Sequence, residues 1–77
     1  MPDKLPVVSG KEAMKAFEKA GWRFVRVSSS RHYIFKKENF VTTLSIPNHK
    51  VLDRGLLRAL IRDAYMSIDE FCYYLND

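Results

Sequence analysis

The stretch Trp22-Arg23-Phe24-Val25-Arg26-Val27-Ser28-Ser29-Ser30-Arg31-His32-Tyr33-Ile34-Phe35-Lys36-Lys37 decides the fold. Two runs rich in aromatic and β-branched residues, Trp22 to Val27 and His32 to Lys36, flank a short polar turn at Ser28-Ser29-Ser30, which is the pattern of a β-hairpin. Lys37-Glu38-Asn39 supplies the next turn. Phe40 to Ile46 reads as a third strand, ended by Pro47, which cannot continue a central ladder. Turns this short join neighbouring strands antiparallel, so the three form a meander. Period-2 alternation puts His32, Ile34 and Lys36 on one face of the middle strand, and Tyr33 and Phe35 on the other. Both sets contain apolar residues, so alternation alone does not decide which face packs.

Helical patterns stand on either side of the meander. Ser9-Gly10-Lys11-Glu12 has the spacing of a capping box, with Ser9 as N-cap and Glu12 reaching back. Ala13, Met14, Phe17 and Ala20 then recur at helical intervals, with Lys11, Lys15, Glu18 and Lys19 on the other side, and Gly21 is the expected stop. After a loop from Asn48, Asp53 is the expected N-cap of a second helix with Leu56, Leu57, Leu60, Ile61 and Ala64 as its apolar stripe. Arg54, Arg58 and Arg62 fall at i, i+4 and i+8 along one side. Ser67-Ile68-Asp69-Glu70 is a second capping box, opening a short last helix through Ile68, Phe71, Tyr74 and Leu75. The expected architecture is α+β, in the order α-β-β-β-α with a short C-terminal helix, as one domain over 1–77.

Seventy-seven residues lie near the lower limit for a domain held by an apolar core alone, and leave little room for a deep cavity. A site is therefore expected on an open surface or to be completed by a partner. Cys72 is the sole cysteine, so no intramolecular disulfide is possible, and a reducing cytoplasm is the expected compartment. No apolar run reaches membrane-spanning length and no signal-peptide core is evident near the N-terminus, so no membrane partner is expected. The net charge of +4 conceals a polarity, since residues 1–37 carry +6 and residues 38–77 carry −2. A basic half suits a phosphate-rich partner approaching one side, although a solvated basic surface is the simpler reading of charge alone.

His32 is the leading candidate for chemistry. Histidine takes up and releases a proton near neutral pH, and Arg31, Lys36 and Lys37 would draw phosphate toward it. On position alone the alternative is an ordinary strand-end histidine. His49 is the second candidate, as an acid, an RNA contact or a partner contact, against the reading of a plain turn residue. Lys36 and Lys37 are candidate contacts to an RNA backbone, or else a solvated lysine pair. Lys50 and Arg54, nearest the loop, are better placed to extend a phosphate track than Arg58 and Arg62, which can pair with Asp63 or the acidic tail. Two histidines without paired carboxylates at ligand spacing are too few for a metal site, and no cofactor loop is present. Cys72 has acidic neighbours, which disfavours a reactive thiolate.

In order and spacing the sequence closely resembles the HicA family of toxins, small ribonucleases of toxin–antitoxin pairs. Leu5-Pro6-Val7-Val8-Ser9-Gly10-Lys11-Glu12 is similar to the family's opening, and Ala20-Gly21-Trp22 to its first helix end. Arg31-His32-Tyr33-Ile34-Phe35 falls where members carry Gly-Ser-His and an apolar strand, with Ser30-Arg31 in place of Gly-Ser. Ile46-Pro47-Asn48-His49 resembles its Pro-x-His, Asp53 through Ile61 its second helix start, and Ile68-Asp69-Glu70-Phe71 its closing segment. Tyr65 stands where the family often has glycine. The resemblance implies a double-stranded-RNA-binding-domain-like fold with the helices on one face of the sheet. It also implies ribosome-independent mRNA cleavage with the single histidine, His32, as catalytic residue, and a HicB-like antitoxin that covers the site in a hetero-oligomer. The alternatives are a non-catalytic RNA-binding module of the same fold and a domain that binds only protein.

Overall fold

A computed structural model describes residues 5–76. The element order is α1 (Gly10–Lys19), β1 (Arg23–Val27), β2 (His32–Lys36), β3 (Leu44–Pro47), α2 (Arg54–Asp63) and α3 (Ile68–Asn76). The strands form one antiparallel sheet in the order β1-β2-β3, so β2 is held on both sides. α1 and α2 pack on one face of it and α3 packs on those two helices, which is a double-stranded-RNA-binding-domain-like layout. Among the described residues no helix is long and apolar enough to cross a membrane.

Local chemistry sets the helix ends. Ser9 Oγ accepts the Glu12 backbone N–H at 3.1 Å while the Ser9 N–H donates to Glu12 Oε1 at 2.9 Å, so two otherwise orphaned donors are satisfied. At the other end Gly21 takes φ +107°, and the Trp22 and Gly21 N–H groups donate back to the Phe17 and Glu18 carbonyls, which closes the helix in a Schellman turn. Asp53 caps α2 through Leu56 N–H, and Ser67 with Glu70 repeats the capping box at α3. Tyr65 closes α2 in the glycine role. Its φ is +59°, its N–H donates to the Arg62 carbonyl and the Met66 N–H to that of Ile61. A glycine would meet this backbone requirement freely, and Tyr65 meets it with some strain.

The register resolves which face packs. Phe24, Phe35 and Leu44 align across the sheet, as do Val27, Tyr33 and Ile46. Phe35, Leu44 and Ile46 are buried against Phe17, Leu57, Leu60, Ile61 and Phe71, with the Phe17 and Phe71 rings 5.2 Å apart. His32, Ile34 and Lys36 therefore lie on the face without helices. A bulge between Phe24 and Arg26 shifts the β1 register, and Arg26 pairs with Ile34 and Arg23 with Lys36 on that same open face.

Three strand limits differ from the sequence pattern. Trp22 belongs to the helix stop, not to β1. The third strand begins at Leu44 and not at Phe40, because the Phe40 ring sits 5.4 Å from Trp22 and 5.3 Å from Tyr65, which draws the chain out of the sheet toward the helices. Val41 is left fully exposed. Pro47 is the last residue of β3, an edge strand, where its missing N–H is tolerated.

Candidate functional site

His32 opens β2, and its surroundings follow from the turn before it. The Arg31 N–H donates to the Ser28 carbonyl at 2.9 Å and the Ser28 N–H to the His32 carbonyl at 2.8 Å, which leaves a three-residue hairpin loop. Such loops need a left-handed residue just before the returning strand, and Arg31 takes it with φ +66°. The left-handed residue is therefore Arg31 and not Ser30. The Ser28 Oγ accepts the His32 N–H at 3.2 Å, so the turn also fixes the head of the strand.

The His32 ring is half-buried, and its Nδ1 lies 3.0 Å from Ser45 Oγ on β3. In the tautomer with the proton on Nδ1, that nitrogen donates to Ser45 and Nε2 carries the lone pair. A hydroxyl on one nitrogen and an open second nitrogen is an arrangement that can orient an imidazole for proton transfer.

A cleft of about 520 Å³ opens at this end of the sheet, lined among others by Ser30, Arg31, His32, Pro47, Asn48 and His49. The two histidines and Arg31 are thus brought together. The pairing of His32 with Pro47 explains this, since the loop carrying His49 leaves β3 directly beside the head of β2. That loop is tied to α1. The Gly10 N–H donates to the His49 carbonyl and the Leu52 N–H to the Val8 carbonyl, both at 2.8 Å. Lys50 lies just beyond, where Ser9, Lys11, Asn48 and His49 line a smaller hollow.

The other sequence candidates lie apart. Lys36 ends β2, about 13 Å along the strand from His32, and Lys37 follows it. Lys36 is exposed on the open face, opposite Arg23. The Lys37 ammonium lies 5.0 Å from the centre of the Phe40 ring. Arg54 reaches the Leu5 carbonyl with its Nη1 at 3.2 Å, so it ties the N-terminal segment to α2. Arg62 lies 3.8 Å from Asp63 in an exposed pair.

Sequence reasoning did not single out Ser28, Ser45, Arg23 or Arg26. Alternation from Trp22 would have found Arg23. Arg26 reaches the open face only through the bulge, and no local signal in the sequence marks Ser45 as the histidine's partner.

The turn offers a divided outcome. A non-glycine residue in the left-handed region costs roughly 1–2 kcal/mol, part of which glycine's greater freedom in the unfolded chain takes back. Arg31→Gly should stabilise the protein by a few tenths to about 1 kcal/mol, seen as a melting point a few degrees higher. The same variant removes the guanidinium from the cleft, so it separates what the turn needs from what the side chain does there.

Residues 10–66 match the family model described as HicA toxin of bacterial toxin–antitoxin, from the first residue of α1 to just past the end of α2. No curated protein matches the chain.

Proposed function

The chain belongs to the HicA family of toxins, which are paired with a cognate antitoxin, and on that premise we propose that it is a ribosome-independent mRNA interferase with His32 as its general base. The observation that carries this reading is the setting of His32. The ring is oriented by Ser45, Arg31 precedes it at the turn, and the open face beside it bears Arg23, Arg26 and Lys36 with no helix over them. RNA supplies its own nucleophile, the ribose 2′-hydroxyl. His32 Nε2 would take that proton as the oxygen attacks the adjacent phosphorus, and the arginines would offset the charge that builds on the phosphate oxygens. A placed base of this kind accounts for roughly 10²–10⁴-fold in rate.

The RNA backbone would enter along Arg31, His49 and Lys50 at the cleft and continue over Lys36, Arg26 and Arg23. Lys37 and Arg54, engaged with Phe40 and Leu5, would contribute mainly long-range attraction. A HicB-like antitoxin in a hetero-oligomer would silence the toxin by covering the cleft, in the cytoplasm where mRNA is found.

Purified protein incubated with end-labelled RNA in excess EDTA tests the reading. The expected result is undiminished cleavage that leaves 2′,3′-cyclic phosphate ends, since no step draws on a metal or other cofactor. RNA that is bound in a salt-sensitive manner and never cut would instead identify a non-catalytic RNA-binding module. The track has its own test. Each phosphate contact contributes about 0.7 to the slope of log K against log salt for a single strand. Arg26→Ala should lower the measured slope by about that amount and weaken binding alike for RNAs of different sequence.

A further inference from the structure

We propose that His49 is the general acid of the same cleavage, protonating the departing 5′ oxygen while His32 accepts the proton of the 2′-hydroxyl. This rests on the interferase reading and extends it from one catalytic histidine to two. In a displacement at phosphorus the attacking and leaving oxygens lie roughly in line, on opposite sides of the reacting atom. One imidazole fixed at the head of a strand serves one of those sides. A second proton-bearing group is needed across the phosphate, and the cleft holds one.

Three features single out His49. It lines the same cleft as His32 and Arg31. Its loop is held in place, because the Gly10 N–H donates to the His49 carbonyl at 2.8 Å, and Gly10 packs so closely on this loop that a Cβ there would overlap the Pro47 carbonyl oxygen. Its imidazole is exposed, and among the described residues none hydrogen-bonds it, so both ring nitrogens are open to substrate. His32, by contrast, already spends Nδ1 on Ser45.

The step balances without a further reactant. The 2′-oxygen loses its proton to His32 as the 2′-O–P bond forms. The P–O5′ bond breaks with its electron pair on the 5′ oxygen, which takes the proton from His49. A 2′,3′-cyclic phosphate and a 5′-hydroxyl leave, and solvent restores the two imidazoles.

The test maps a cleavage site on ordinary RNA, then places sulfur in the bridging 5′ position of that linkage. A thiolate leaves without needing a proton, so only the acid becomes dispensable. His49→Ala and His49→Gln should each cut ordinary RNA about 10²-fold more slowly. Both should regain near wild-type rate on the sulfur substrate, whereas His32→Ala should stay slow on both. Unimpaired His49 variants, or variants as slow on the sulfur substrate as on ordinary RNA, overturn the acid role and leave the interferase reading standing. A wild-type protein that cuts neither RNA overturns both.

Discussion

His32→Ala is expected to lower RNA cleavage by roughly 10²–10⁴-fold while the domain stays folded. The structure separates the two effects. The side chain is half-buried, and its recorded hydrogen bond is to Ser45 Oγ, a partner that is itself exposed and can turn to water. Loss of one such bond costs about 0.5–1.5 kcal/mol, a small part of the ~5–15 kcal/mol that holds a domain together. Nothing else in the cleft replaces an imidazole at that point, so the chemical loss is large. Initial cleavage rates beside thermal melts would measure both. A variant that cuts RNA at the parent rate, or that arrests growth as fully as the parent on induction, removes His32 from the chemistry.

Gly10→Ala is expected to be strongly damaging for so small a substitution. A Cβ at Gly10 would overlap the Pro47 carbonyl oxygen and stand 2.9 Å from Asn48 Cα and 3.1 Å from the His49 nitrogen. All three are backbone atoms, so no side chain can swing aside to make room. Either α1 or the 47–49 loop must move, and the Gly10–His49 hydrogen bond goes with it. Overpacking of this kind costs roughly 1–3 kcal/mol, and each kcal/mol lowers the melting point of a domain this size by about 4–8 °C. Cleavage should fall further than the loss of folded protein explains, because the displaced segment carries Asn48 and His49 into the cleft. Gly55→Ala is the control. Its new Cβ would meet only Asp53 Oδ2 at 3.1 Å, the end of a side chain that can shift at some cost to the α2 cap, inside a helix that favours alanine, so a loss as large as that at Gly10 would show that backbone contact is not what makes Gly10 costly.

What could be read from the sequence was mostly what is decided within four residues. The capping boxes at Ser9 and Ser67, the Asp53 cap and the Gly21 stop need only local partners, and each forms as its spacing indicates. The position of His32 at the head of β2 was equally plain, because a polar turn and an apolar run bracket it. The failures are tertiary. Phe40 is β-prone, but Trp22 and Tyr65 recruit it and shorten β3. The choice of packed face for β2 depended on Leu44 and Ile46 aligning with Phe35 and Tyr33. Arg54 was legible as a cation near the loop, but nothing local revealed its bond to Leu5. Gly10 looked like an unremarkable first residue of a helix, and its contact with a loop nearly forty residues away has no signature of its own.

The β1 bulge has a consequence beyond the direction in which Arg26 points. All five residues of β1 are exposed, and Phe24, Val25 and Val27 are each close to half open to solvent along an edge with unpaired backbone groups. A straight apolar edge of that kind is a template on which separate copies can stack strand upon strand. The irregularity between Phe24 and Arg26 breaks the template and sets a guanidinium within it. The one extra residue that turns Arg26 to the open face also discourages the molecules from polymerising.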